Sequence, residues 1–243
     1  MKKILISFAH GTHYNSQRRL VESAKALGAF DEYCEFSMTD VDPEFAAEHQ
    51  DILSTPRGAG YWLWKPYLIL KTLKDESVAE GDIVFYCDSG SVFVAHPQPL
   101  FDMCTGTGSS SILLFGMKHL NEHFVKRDAF EYMECDDPMY YHANQTNAGF
   151  QLYAKGAKSI DFLQKYLDYC TDKRVVSDDP NTCGKDNFEG FVDHRHDQSV
   201  LSLLRVKHKV DLHRDPTQWG FEVEEMYPED TYPQIIYHSR TRD

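Results

Sequence analysis

No stretch of this chain approaches the roughly 20 apolar residues that a membrane-spanning helix needs. The opening Met1-Lys-Lys-Ile-Leu-Ile-Ser-Phe-Ala has a basic start and an apolar run, but His10 and Gly11 break it before it reaches signal-peptide length. A first buried strand is the better reading, and a soluble, cytoplasmic protein with no membrane span is expected. Basic residues are scarce too: 25 Lys and Arg stand against 38 Asp and Glu, for a formal net charge of −13. Phosphate backbones are held by clustered cations, so this balance excludes a nucleic-acid groove and disfavours an anionic membrane surface. It leaves room for a small phosphorylated ligand, provided that a few cations or a divalent metal neutralise the phosphates locally.

Cysteine is sparse and unpatterned. The six residues, Cys34, Cys87, Cys104, Cys135, Cys170 and Cys183, form no C-x-x-C pair and no tight zinc spacing, which fits free thiols in a reducing compartment. Neither G-x-G-x-x-G nor G-x-x-x-x-G-K-[ST] occurs, and the ordinary dinucleotide and P-loop readings go with them. Repeats and low-complexity segments are missing as well. What is present is a packed composition, 42% hydrophobic and 13% aromatic over 243 residues, enough for one substantial core. The expected architecture is a single α/β domain over residues 1–243.

The most informative stretch is Asp82-Ile-Val-Phe-Tyr-Cys-Asp-Ser-Gly90. Five consecutive apolar or aromatic residues, Ile83 to Cys87, suit a strand covered on both faces of a mostly parallel sheet. The strand runs straight into Asp88-Ser89-Gly90, and ligands of open α/β sheets bind at the carboxyl ends of strands. Asp88 is therefore the leading candidate for function, against the alternative that it caps a turn.

In chain order, residues 3–9 read as the first strand, followed by a polar turn and a helix capped by Asn15 or Ser16. A short strand at 35–38 and a helix near 43–52 follow. Arg57-Gly-Ala-Gly-Tyr-Trp-Leu-Trp-Lys-Pro66 precedes a helix over 67–73, with Pro66 near its first turn. The two Trp suit a hydrophobic plug; Arg57 and Lys65, with no carboxylate nearby in sequence, suit an anion site at a helix start. Residues 91–95 read as a short continuation of the central strand, 109–115 as another strand, and 118–134 as helical. There His119 and His123 have i, i+4 spacing, but H-E-x-x-H is absent. Lys126-Arg127-Asp128 suits a solvated face, or Arg127 on a phosphate. The polar run from Asn144 enters a strand through Ala148-Gly149, residues 155–170 form an amphipathic helix, and 177–191 is a long loop of the kind used as a lid. Asp197-Gln198 begins a helix over 199–204, with Asp197 as a cap, and the last strand, 234–238, ends in His238.

Five of these pieces, taken in order, resemble a nucleotide-sugar-dependent glycosyltransferase of the GT-A fold, of the type found in bacterial and large-virus polysaccharide clusters: Ser7 to Asn15, Arg57 to Pro66, Tyr86-Cys-Asp-Ser-Gly90, Thr146-Asn-Ala-Gly149 and His196-Asp-Gln198. The resemblance spans nearly the whole chain. It implies a Rossmann-like GT-A domain, a mostly parallel central sheet flanked by helices, that moves a hexose or pentose from a nucleotide-diphosphate donor, with uridine the usual base, to a hydroxyl of a glycan or glycoconjugate, in polysaccharide biosynthesis. It implies that Phe8, Ala9, Tyr14, Asn15, Arg57, Trp64, Lys65, Asp88, Ser89, Gly90, Arg127, Asn147, Ala148 and Gly149 bind the donor and that Asp197 and Gln198 are catalytic, retention being favoured over inversion. Gly90 stands where the family's Asp-x-Asp motif has its second carboxylate. Asp88 and His238 are then the expected ligands of Mn2+ or Mg2+, helped or replaced by Arg57, Lys65 and Arg240. An inactive nucleotide- or sugar-binding module on the same fold is the alternative, and a hydrolase with zinc among His119, His123, His194 and His196 a more distant one.

Overall fold

Alternation along the central strand sets the architecture. In the computed structural model, which describes residues 1–106 and 111–239, every residue of β3 (Ile83–Cys87) is buried. Successive side chains of a strand face opposite sides of the sheet. Val84 and Tyr86 accordingly join one core, whereas Ile83, Phe85 and Cys87 join the other. A sheet apolar on both faces must be covered on both, and helices do so here. Leu68, Ile69 and Leu73 of the Trp64–Lys74 helix, Phe162, Leu163 and Tyr166 of the Ala157–Cys170 helix, and Val200, Leu201 and Leu204 of the Asp197–Lys207 helix fill the first core. Leu20 and Ala24 of the Tyr14–Ala26 helix and Leu100, Phe101 and Cys104 of the Gln98–Thr105 helix fill the second.

The main sheet has six strands. Besides β3 they are β1 (Lys3–Phe8), β2 (Glu32–Phe36), β5 (Ile112–Leu120), β6 (Asn144–Ala154) and β7 (Leu212–His213), in the order β2-β1-β3-β6-β5-β7. β1 pairs in parallel with β2 and β3, and β5 with β7, while β6 runs antiparallel to both β3 and β5. Five strands thus share a direction and β6 alone is reversed, so the sheet is mostly parallel. β4 (Ser91–Phe93) is not a continuation of the central strand: it forms a separate two-stranded sheet with β8 (Ile236–His238), Ser91 opposite His238. That pairing docks the C-terminal segment beside the end of β3, and Ser239 N–H donates to the Gly90 carbonyl (3.0 Å).

Several boundaries differ from the sequence reading. Asn15 and Ser16 lie inside the first helix, whose start is a 3₁₀ turn over Gly11–His13, so neither caps it. The helix expected over 118–134 is divided: β5 extends to Leu120, and two short helices follow, Asn121–Phe124 and Arg127–Tyr132. His119 therefore sits on a strand and His123 on a helix, and the i, i+4 face they were expected to share does not form. Residues 43–53 form two short helices, broken at His49. Of the expected strand at 109–115, residues 109 and 110 fall outside the described residues, as does Arg240.

Candidate functional site

The carboxyl end of β3 opens into a cleft of ≈ 640 Å³ whose walls come from six separate parts of the chain. Arg57, Trp62 and Lys65 come from the segment before and at the start of the Trp64–Lys74 helix, Asp88 from β3's end, Asn147 to Phe150 from β6, Asp193 to Gln198 from the long loop and the helix after it, and Asp215 to Val223 with His238 from the C-terminal part. Gly116, Met117, Lys118 and His119 of β5 close one side.

Lys65 lies at the foot of this cleft, 3% exposed. Its Nζ is 2.9 Å from Asp197 Oδ2 and 3.7 Å from Asp88 Oδ1, and it donates to the Ala148 carbonyl at 3.2 Å. The absence of a nearby carboxylate in sequence was misleading, since the fold supplies two. Burial works against the ammonium, yet Asp197 and Asp88 outweigh it and hold the Lys65 pKa above the ordinary lysine value. Burial pushes the Asp197 carboxyl above the usual aspartate value, against the pull of Lys65. The ammonium thus stays charged while Asp197 is a weaker acid than a solvated aspartate. Two phenols complete the cluster, Tyr86 donating to Asp88 Oδ1 (2.5 Å) and Tyr166 to Asp197 Oδ2 (3.2 Å). Burial raises both phenol pKa values well above the ordinary tyrosine value, so both remain donors.

Asp88 and Asp197 do not cap their neighbouring turns. Their carboxylates are engaged as above, and the residue before the Asp197–Lys207 helix is His196 at φ 51°, ψ −120°, which makes no side-chain cap. Gln198 donates to Gln145 Oε1 at 2.9 Å.

The Asn147-Ala-Gly149 step owes its form to a bulge. Pairing between β5 and β6 jumps from Leu114 opposite Gln151 to Phe115 opposite Asn147, so residues 148–150 have no partner on β5. Bulges re-aim strand groups beside active sites; this one turns the Ala148 carbonyl to Lys65 and lets Asn147 Oδ1 accept from Gly149 N–H (2.9 Å). A Cβ at 149 would lie 3.0 Å from Asp88 Oδ2, so any larger residue there has to displace that carboxylate. Asn147 Nδ2 donates to Asp215 Oδ2 (2.7 Å).

The Arg57 segment is wound the wrong way. Gly58, Ala59, Gly60, Tyr61 and Trp62 all have positive φ, making a left-handed turn in which three members are not glycine. Such residues cost about 1–2 kcal/mol each and persist where surrounding contacts enforce them. Here Tyr61 and Trp62 stack on His196, at 4.8 and 5.4 Å between ring centres. His196 Nδ1 donates to the Val176 carbonyl (2.9 Å) and its Nε2 accepts from Arg57 Nε (2.7 Å), a pattern open only to the neutral ring. Burial lowers the His196 pKa accordingly. Arg57 also faces Asp178 (3.3 Å) and Asp193 (3.9 Å).

The other expected donor-binding residues are distributed differently. Trp64 is a plug: its ring stacks on Phe8 at 3.6 Å and its N–H donates to the Gly58 carbonyl. Phe8 and Ala9 are buried, while Tyr14 and Asn15 are exposed on the first helix, and none of the four lines the cleft. Ser89 and Gly90 are half-buried beside Asp88. Arg127 is not a solvated face but buried, its guanidinium held by Asp136 (2.6 Å) and Glu131 (3.3 Å) and over the Phe188 ring. Its neighbours pin the long loop: Asp128 accepts from the N–H groups of Thr182 and Cys183, and Lys126 donates to the Asp179 carbonyl. His238 lines the cleft with Nδ1 on Ser91 Oγ (2.8 Å). Among the described residues no group of three or more His, Cys, Asp and Glu could hold a metal ion.

Sequence reasoning passed over Asp215, Thr217, Gln218 and Trp219. Asp215 is 4% exposed and accepts from Thr217 N–H and Oγ1, and Gln218 bridges both the N–H (3.0 Å) and the carbonyl (2.9 Å) of His238. Nothing local announces them, except that an Asp before Pro216 can start a turn.

No protein-family model matches the chain, and no curated protein matches it. Solved structures do. An active-site mutant of LgtC matches with a TM-score of 0.53 at 12% identity, covering 98% of this chain and 87% of that one. Mouse xyloside xylosyltransferase 1 in its apo form gives 0.49 at 12% identity over 98% and 97%, and a glycosyltransferase involved in glycosylation of the major capsid of PBCV-1 gives 0.46 at 13% over 99% and 96%. With five strands running together, one reversed beside the central strand, and the cleft at the central strand's carboxyl end, the chain has the GT-A-type fold of the glycosyltransferases.

Proposed function

We propose that the protein transfers a sugar from a nucleotide-diphosphate donor to a hydroxyl of a glycan or glycoconjugate. The observation that carries this reading is the convergence of Lys65, Asp88 and Asp197 beside the Asn147–Gly149 bulge in one cleft. In such a transfer the bond from the anomeric carbon to the diphosphate oxygen breaks, its electron pair leaves with the diphosphate, and the acceptor oxygen forms the new bond. Positive charge grows on the sugar and negative charge on the phosphate, so fixed charges aimed at both lower the barrier. Lys65 is a cation already desolvated and oriented. Asp197 and Gln198 hold the sugar's hydroxyls, and Asn147, fixed by Asp215, forms the pocket floor. With retention, the acceptor's proton passes to the departing diphosphate on the same face; that course suits a site whose buried aspartate is already paired to a lysine.

Asp88 and His238 suit a divalent cation as a partial ligand set. Asp88 keeps 35% of its side chain exposed in the cleft that His238 also lines. One carboxylate and one imidazole match manganese better than magnesium, with donor phosphates and water completing the shell. Bound there, the ion would supply positive charge to the diphosphate. Uridine is the proposed base, and polysaccharide assembly the proposed setting.

The test is a thermal-shift screen of nucleotide sugars with and without manganese, followed by an assay of nucleotide release. A donor that binds the native state raises the melting temperature. If no nucleotide sugar shifts it in either condition, the proposal fails.

A further inference from the structure

We propose that Trp219 is the acceptor platform of the cleft, the ring on which a sugar of a glycan acceptor stacks; this rests on the glycosyltransferase reading. The chain has three tryptophans. Trp64 is buried against Phe8 with its N–H bonded to Gly58, and Trp62 is stacked on His196. Trp219 differs from both. It lines the cleft yet is 45% exposed, and among the described residues its ring has no aromatic or cationic partner and its indole N–H no acceptor.

An exposed ring can sit on slack surface, but the backbone that carries this one is tied down. Thr217 Oγ1 accepts from the Trp219 backbone N–H (3.2 Å), and Thr217 is fixed by Asp215 through its own N–H (2.8 Å) and hydroxyl (2.5 Å). Asp215 also takes the Asn147 amide, and Gln218, beside Trp219, clamps His238 on two backbone groups. The backbone under the indole is thus part of a frame bonded to both Asn147 and His238, the residues assigned to donor sugar and metal. A ring on a backbone so fixed has only its own side-chain torsions left to order on binding.

The surroundings select the occupant. A sugar ring has an apolar C–H face and a rim of hydroxyls; it needs an aromatic surface with polar groups around it. Asp193, His119 and the Lys118–Glu222 pair (2.8 Å) line the same cleft. An apolar peptide side chain would find charged walls there.

The experiment uses the whole chain, with methyl glucoside, methyl galactoside, methyl xyloside, lactose and maltose as probes. Tryptophan emission is read for the saccharides, and UDP binding is followed separately by thermal shift. The expected result is a saccharide-dependent change of emission that vanishes in Trp219→Ala and survives in Phe221→Ala, whose ring is 68% exposed but does not line the cleft. UDP affinity stays within about twofold in both variants, and where a probe accepts sugar, Trp219→Ala raises its KM about tenfold and Trp219→Phe restores part of the loss. No emission change with any saccharide, a change produced instead by serine- or threonine-containing peptides, or equal loss of UDP and saccharide binding in Trp219→Ala would overturn the assignment. A wild type that answers saccharides through Trp219 but binds no nucleotide supports the platform and overturns only the transferase reading.

Discussion

The Lys65 ammonium and the Asp197 carboxylate, each 3% exposed, meet at 2.9 Å from helices that lie far apart in the chain. Removing one partner of such a pair leaves an uncompensated buried charge and costs about 3–5 kcal/mol. Lys65→Met should therefore be strongly destabilising. The loss should shrink on acidification, because the native state can take a proton on the unpaired Asp197 that the unfolded chain does not bind at the same pH. Urea unfolding at about pH 8 and about pH 5 measures this; equal losses at both would show that Asp197 is not the group left bare.

Asp197→Asn keeps the side-chain shape while removing the charge. Transfer should fall by about a hundredfold or more, the scale of one lost electrostatic group in an active site, while nucleotide affinity changes by no more than about threefold. Normal turnover in this variant would remove Asp197 from the chemistry.

At position 149 a methyl group would press on Asp88 Oδ2 at 3.0 Å and Asn147 Oδ1 at 3.1 Å. Gly149→Ala should weaken donor binding, and any manganese stimulation, far more than it lowers the melting temperature. A variant with wild-type donor affinity would show that the Asp88 and Asn147 positions tolerate displacement.

His194 and His196 are buried, and burial lowers both pKa values below 6.5, that of His194 strongly. Between the folded pKa and 6.5 the unfolded chain binds more protons, so stability is complete above about pH 6.5 and lost as pH falls below it, by up to about 1.4 kcal/mol per unit for each ring. His194→Asn should flatten that acid limb relative to wild type, with the difference between the two urea-denaturation profiles as the measurement. Parallel profiles would mean that the ring does not titrate on unfolding.

The left-handed turn gives opposite results at adjacent positions. Ala59 (φ 50°, ψ 51°) pays a steric cost that glycine does not, so Ala59→Gly should gain up to about 1 kcal/mol. At Gly60 (φ +96°) an added Cβ would lie 2.6 Å from Leu53 Cα, and Gly60→Ala should be severely destabilising. Urea midpoints decide both.

Periodicity and composition made much of the fold legible. The apolar run Ile83–Cys87 is a strand buried on both faces, and the long helices lie close to where their apolar faces indicated, because local hydrophobic pattern and the need to cover a sheet act on the same residues. The pattern misled between 118 and 134, where β5 continues to Leu120: pairing with β6 satisfies that backbone, and a strand partner is not written locally. The motifs Arg57–Pro66, Asp88–Gly90, Asn147–Gly149 and Asp197–Gln198 could be picked out as dense in charged, small or amide groups. Their partners could not. Burial of Arg127 against Phe188, the reversal of β6 with its bulge, and the use of Asp215 and Gln218 as struts depend on contacts between segments remote in the chain. Sequence determined which residues were chemically capable; only the tertiary structure decided which were desolvated together, because the energy of a buried charge depends on what surrounds it in space.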